Sequence, residues 1–438
     1  MASLIFVAGL NVPRLYAQNG GTSDLTQTQQ TAAAESQAKQ IAKNRQQIME
    51  VLKTEINNLI PGNPESDSPM QQSIAAGVAS FVAGDLKKTL DDLGQINKTD
   101  PSLPTAEILA AGVCFTSKDV AAANRLLEQA AIKFPQHPSV YAAYGRLAVS
   151  SNRNTDGLLH FEKLKSLLAK SQWSDTVAKH YQIAYLDGMA DIALRQQRLK
   201  DARAFANRYR EIRPQHTKPL MILADIEFKE DNVRNSLKLL NELRTLNPNA
   251  RVPEAIISAW FNQRGDKKNT ATWINKVATQ YPNDAPAQIE YASWCLSQEQ
   301  FNQATQTIAK AESIAGESSL SKSLKGKIAF ANQNYPVAAQ LYQSLLPKSN
   351  DADFANMYAL CLAESSDDEQ KKIAGRIAAQ NFKASPNNRV ALAALGYVLI
   401  KTDESNPQIP AIFSRVVQNR GPMSPEMQFF VASYLAMI

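Results

Sequence analysis

Histidine and cysteine are the side chains most able to bind a metal or attack a substrate, and their placement here argues against both. His137, His160, His180 and His216 share no helical spacing with Asp, Glu or Cys that would gather ligands on one face. His137 lies between Gln136 and Pro138, in a turn. Cys114, Cys295 and Cys361 are too few and too widely separated for a disulfide framework. Each stands in an apolar helical stretch, where a free thiol packs like a small hydrophobe. Nor does the chain carry a Walker-type phosphate loop, a glycine-rich dinucleotide turn or a nucleophile elbow. No catalytic residue, metal or cofactor is expected, which leaves binding as the chemistry of this chain.

The other chemistry is charge. Lys and Arg number 47 against 41 Asp and Glu, a net +6, which is mild for 438 residues and does not demand a nucleic acid. Most of the excess lies between Arg195 and Arg213, where Arg195, Arg198, Lys200, Arg203, Arg208, Arg210 and Arg213 face only Asp201 and Glu211. At about 100° per residue, Lys200, Arg203 and Arg210 share an arc of about 80°. That arc borders an apolar face of Leu199, Ala202, Phe205 and Tyr209. It reads either as a solvated outer face or as a docking patch for an acidic partner.

The elements that position these groups are written in a repeat. Turn prolines fall at Pro214, Pro248 and Pro282, each 34 residues from the last, and two further steps reach Gly316 and Asn350. A first apolar helix carries a small residue eight places into each unit: Ala190, Ala224, Ser258, Ala292 and Gly326. A second helix opens with a small residue at place 20 (Ala202, Ser236, Thr270, Ala304, Ala338). Bulky apolar groups follow at places 24 and 27, as in Leu240 with Leu243 and Tyr342 with Leu345. The same register extends back through Pro135 and Pro101, with Gly145 and Gly77 at place 8. Between Pro135 and Pro214 the spacing is 79, two units plus 11 residues. This places an insertion near Trp173 that lengthens the next first helix to about Ser174–Arg195. Small residues at places 8 and 20 let paired helices approach closely, while aromatics at 4 and 24 fill the gaps between units.

This pattern resembles the tetratricopeptide repeat. The resemblance implies an all-α, right-handed superhelical solenoid of stacked helix-turn-helix units, about ten of them over residues 70–438 with a terminal helix. In that family the first helices line a concave groove, faced by places 2, 5, 9 and 12. Transferred place by place, the groove candidates are Ile74, Val78 and Phe81, then Ile108 and Phe115, then Arg146. Asp187 and Asp191 follow, then Lys218, Asp225 and Phe228, and finally Lys327 and Phe330. The Lys and Asn pattern with which some relatives grip a terminal carboxylate is missing, which argues against a chaperone-tail co-adaptor.

Two ends flank the array. Residues 1–17 read as an export signal, with an apolar core Leu4–Leu10 and a cleavage site after Ala17, although no Lys or Arg precedes the core. The whole is therefore similar to an exported bacterial tetratricopeptide protein, periplasmic or secreted, the alternative being a cytoplasmic protein in which the segment is not a signal. Residues 18–69 begin Gln-rich, then repeat Ile41, Ile48, Leu52, Ile56 and Leu59 at helical steps. The helix this predicts, about Ala32–Ile60, is either a partner-binding arm or a cap on the open end of the array, the cap being favoured. At the other end, Met427, Phe430, Val431, Tyr434, Leu435 and Ile438 form an apolar stripe that predicts either a longer polypeptide or docking on another copy or another protein.

The resulting expectation is a non-enzymatic scaffold in the cell envelope that holds a peptide or helix of a partner protein in its groove. Alternatives are the non-catalytic repeat region of a larger enzyme or signalling protein, a nucleic-acid binder using the Arg195–Arg213 segment, and a self-assembling envelope protein. Asp187, Asp191 and Asp225 interrupt the basic stripe that a nucleic-acid groove would need.

Overall fold

The computed structural model describes residues 45–438, apart from 63–65, 67, 118, 171–172, 347–351, 387, 419–422 and 424. The expected signal and the Gln-rich segment up to residue 44 lie outside the described residues, as do Asn350 and Pro422. Every regular element among the described residues is an α-helix, the all-α helical-repeat class that the period implies. None of these helices is long and apolar enough to cross a membrane. The chain divides into two compact units, Met1–Pro248 and Asn249–Ile438.

The first unit contains α1 (residues 45–59) and five helix pairs. These are α2 (Pro69–Val82) with α3 (Leu86–Thr99), α4 (Ala106–Thr116) with α5 (Val120–Lys133), and α6 (Pro138–Ser150) with α7 (Asn154–Leu168). They continue with α8 (Asp175–Arg195) and α9 (Leu199–Ile212), then α10 (Thr217–Lys229) and α11 (Val233–Leu246). The second unit pairs α12 (Pro253–Gln263) with α13 (Lys267–Gln280), α14 (Ala285–Ser297) with α15 (Phe301–Ala315), and α16 (Ser319–Ala331) with α17 (Tyr335–Leu345). It ends with α18 (Ala352–Ala363) and α19 (Asp368–Ala384), α20 (Arg389–Thr402) and α21 (Ile409–Gln418), and the single helix α22 (Pro425–Met437).

Small residues do at places 8 and 20 what their size allows. A Cβ built on Gly77 would stand 2.6 Å from Leu93, one on Gly145 2.6 Å from Phe161, and one on Gly326 2.8 Å from Tyr342. Each contact joins place 8 of a first helix to place 24 of its partner. Where place 8 or 20 carries a serine, its hydroxyl ties the pair in two units: Ser236 Oγ donates to the Ala224 carbonyl at 2.8 Å and Ser258 Oγ to the Thr270 carbonyl at 2.9 Å. Both bonds satisfy a buried polar group that would otherwise cost about 1–3 kcal/mol.

The turn inside seven of the pairs repeats as faithfully. A left-handed residue stands at place 15 in Gly84 (φ +82°), Asn152 (59°), Gln197 (57°), Asp231 (61°), Gly265 (76°), Glu299 (59°) and Gln333 (58°). Gly265 is therefore a conformationally demanding position. Side-chain caps follow at the next helix start, where Asp85 accepts from Lys88 N at 2.9 Å and Asp266 from Asn269 N at 2.9 Å.

The insertion near Trp173 does lengthen a first helix, since α8 runs for 21 residues. Trp173 packs rather than projecting: its Nε1 donates to the Leu167 carbonyl at 3.0 Å and its ring meets the edge of His137 at 5.7 Å. In α22, Met427 and Phe430 are buried, with Phe430 against Tyr397 at 4.9 Å and Tyr434 stacked on Phe413 at 4.7 Å. Phe429, Leu435 and Ile438 remain exposed. The stripe expected to be uncovered is thus split, half of it packed on α20 and α21 of its own chain.

Candidate functional site: the first-helix face of the N-terminal unit

Places 5, 9 and 12 of α2 and α4 contribute to one apolar face, and that face is occupied. Helix α1 lies on it. Leu52 and Ile56 are fully buried, with Leu59 5% and Ile60 3% exposed. They form a single apolar core with Ile74, Val78 and Ile108. Leu59 sits on Gly112, place 9 of its unit, so closely that a Cβ there would stand 2.6 Å from Cδ1. Gln71 Nε2 donates to Asn57 Oδ1 at 2.8 Å, which fixes α1 against α2. The spacing of its apolar residues at four, four and three gives one continuous stripe, and the repeat supplies a trough lined by small and branched residues to receive it.

This corrects the status of four groove candidates. Ile74 and Val78 are 0% exposed, and Ile108 and Phe228 are 2% exposed. As the chain stands, none of the four presents surface to a partner. The first three belong to the core that α1 completes, and Phe228 is buried. Phe81 and Phe115 are half-buried at the margin of the α1 seat. The favoured cap reading of this helix is also revised, because a cap would cover the end of one repeat whereas α1 touches groove places from two and reaches the edge of a third.

Beside Leu59 the seat is not filled. A cavity of about 280 Å³ remains, walled by Glu55 and Leu59 of α1, Phe115 of α4, Leu127 of α5, and Arg146 and Leu147 of α6. Burial against this apolar wall pushes the Glu55 carboxyl up from its ordinary range, and the Arg146 guanidinium pulls it back. The C-terminal end of α1 meets α8. His180 faces the Leu59 carbonyl, and burial together with Arg146 and Arg213 lowers its pKa to about 4. Gly62, in a left-handed turn with φ +79°, leads the chain past Thr176.

The charged candidates are largely tied to one another. Lys218 Nζ contacts Asp187 Oδ2 at 2.5 Å, joining α10 to α8, and Lys229 contacts Asp225 at 2.7 Å. Burial raises the Asp191 pKa, against a lowering pull from Lys218. In the second unit, Phe330 is half-buried against Tyr335 at 5.3 Å, and Lys327 is half-buried beside it on α16. Ion pairing also reshapes the basic arc of α9. Arg203 forks to Glu227 and, at 2.6 Å, to Glu230, while Arg210 pairs with Glu242. Of the three, Lys200 alone stands exposed without a described ion pair. The positive surface read from α9 is therefore offset by carboxylates of α10 and α11 that lie 24–32 residues away.

Nothing in this geometry gathers a metal: among the described residues no three His, Cys, Asp or Glu side chains converge. Cys114, Cys295 and Cys361 are free and buried, and burial pushes the Cys361 thiol up to about 12.

No protein-family model matches the chain, and no curated protein matches it. Among solved structures it is similar to the TPR domain of P58(IPK), with 14% identity over 84% of this chain and 98% of that one and a TM-score of 0.27. It is similar to a tetratricopeptide repeat protein from Parabacteroides merdae, with 13% identity over 67% of this chain and 98% of that one and a TM-score of 0.34. Yeast Tom70 is a third, with 10% identity over 85% and 96% and a TM-score of 0.35.

Proposed function

We propose that this protein is a non-enzymatic interaction scaffold that holds a helix or extended segment of a partner protein on the first-helix faces of its repeats, and that it works in the cell envelope. One observation carries the first part. The face built from places 5, 9 and 12 already holds an amphipathic helix, α1, with its apolar stripe buried and its polar side in solvent. A surface with that shape and chemistry recognises helices by apolar anchors at successive turns. The envelope location rests on the leader-like residues 1–17 alone.

A photo-crosslinking residue at Phe81 or Phe115, compared with one at Lys238 on a second helix, tests the surface in the native cell. Protein partners should be captured from Phe81 and Phe115 and not from Lys238. Capture from Lys238 alone would remove the first-helix face as the binding surface. Mass spectrometry of the native protein should find a new N-terminus at or near Gln18. An intact Met1 in the cytoplasmic fraction would end the envelope reading.

A further inference from the structure

We infer that α1 is an exchangeable occupant of its own groove, and that the site it fills is a receptor for a partner helix carrying the same stripe with a bulkier apolar residue where α1 has Leu59. This rests on the scaffold reading above and specifies its ligand and its regulation.

Three features separate an exchangeable occupant from a permanent part of the core. First, α1 engages groove places rather than an end face: Ile74 and Val78 in the first repeat and Ile108 and Gly112 in the second, with its Glu55 side facing Arg146 of the third. Second, it is covered on one side only, because Glu50, Thr54 and Asn58 on its outer face are exposed. It can therefore leave without dismantling anything above it. Third, its fit is incomplete. The cavity of about 280 Å³ beside Leu59 and Glu55 leaves wall atoms of the half-buried Phe115 and Leu147 without contacts that a larger side chain would supply. A tethered ligand tolerates such a deficit because its attachment gives it an effective concentration on the order of millimolar. A free partner must bind more tightly to displace it, and the cavity is where it can do so.

The partner is thus an amphipathic helix with Ile or Leu at the positions of Ile48, Leu52 and Ile56. It carries a large apolar residue, such as Trp or Phe, at the position of Leu59, and a carboxylate at the position of Glu55 to meet Arg146. Attachment of α1 through the segment that follows Ile60 makes the site closed by default and opened by competition.

The test uses the full chain with a specific protease site inserted between Gly62 and Ser68, and a fluorescent synthetic peptide of residues 44–62 as probe. After cleavage, the probe should exchange into the groove, while the uncut chain should bind it at least about tenfold more weakly because the tethered helix competes. A probe carrying Leu59→Trp should bind the cut chain several-fold tighter than the native sequence, and one carrying Leu52→Asp should not bind. The uncut chain bearing Leu52→Asp with Ile56→Asp provides a second route, since its vacated groove should take up the native probe. No exchange after cleavage and no binding to the double variant, or loss of the helical signal when α1 is released, would make α1 a fixed structural element and overturn the inference. Exchange of the probe without any crosslinked partner at Phe81 or Phe115 would instead defeat the proposed scaffold function and, with it, the partner helix inferred here, leaving only the exchangeability of α1 standing.

Discussion

Phe161 of α7 stands so close to Gly188 of α8 that a Cβ on that glycine would lie 2.0 Å from the ring Cζ. The same ring lies 2.6 Å from where a Cβ of Gly145 would stand on α6. One fully buried aromatic therefore occupies the space that two glycines on successive first helices leave open. Contact of this kind links the third repeat to the fourth, across the register break that the long α8 introduces.

The rigidity of the ring makes the two glycines sensitive. Gly145→Leu or Gly188→Ala should overpack the contact and lower stability by roughly 1–3 kcal/mol, read as a shift in the urea midpoint. Combining either with Phe161→Leu should recover part of the loss, because neighbours in one contact are not additive. Gly375, with nothing within 4 Å of an added Cβ, is the control, and Gly375→Ala should be neutral or slightly stabilising through helix propensity. Equal losses at all three glycines would mean that the place-8 contact does not govern packing.

The turn residue at place 15 can be tested in both directions. Gln333 is exposed and left-handed at φ 58°, a conformation that costs an L side chain roughly 1–2 kcal/mol. Gln333→Gly should relieve most of this, offset by the extra entropy glycine loses on folding, for a net gain of up to about 1 kcal/mol. Gly265→Gln should lose a comparable amount. Denaturation midpoints that move the other way for both would place the strain elsewhere.

Much of the fold is legible in the sequence, and less of the site. The small residues at places 8 and 20 announce the helix pairs because close approach leaves no alternative residue type, as Gly145 and Gly326 show. Left-handed turns at Gln197, Asp231, Glu299 and Gln333 are hidden, since these side chains carry no turn preference as strong as that of glycine or asparagine. Helix α1 is readable as amphipathic from its own spacing, yet the seat of Leu59 on Gly112 joins residues far apart in the chain, which no local pattern encodes. The basic arc misleads for the same reason: Arg203 and Arg210 are neutralised by Glu227, Glu230 and Glu242 on later helices. Burial likewise separates Ile74 from Phe81, although both stand at groove-facing places.

The split stripe of α22 predicts unequal consequences for two residues in one helix. Phe430 is 2% exposed and packs on Tyr397, whereas Leu435 is 60% exposed. Phe430→Ala should cost roughly 3–5 kcal/mol. Leu435→Ala should stay within about 0.5 kcal/mol, as surface substitutions do. Calorimetry in which the two variants melt together would show that α22 does not hold its place on α20.

The end of α1 should report on pH through His180. Burial first, then Arg146 and Arg213, depress this imidazole to about 4, against an ordinary value of about 6.5 in the unfolded chain. A base whose folded pKa is lowered binds fewer protons folded than unfolded between those values, so its contribution is complete above about pH 6.5 and is lost as pH falls toward 4. Protonation would set a third positive charge beside Arg146 and Arg213, opposed by the Leu59 carbonyl that His180 faces. The melting temperature of the native chain should therefore fall from pH 7 to pH 4 more steeply than that of His180→Gln, which cannot take the proton. His137, His160 and His216, which burial also lowers, are present in both proteins and cancel in the difference. Parallel curves over that range would show that His180 is solvated in the folded protein and does not sense the seating of α1.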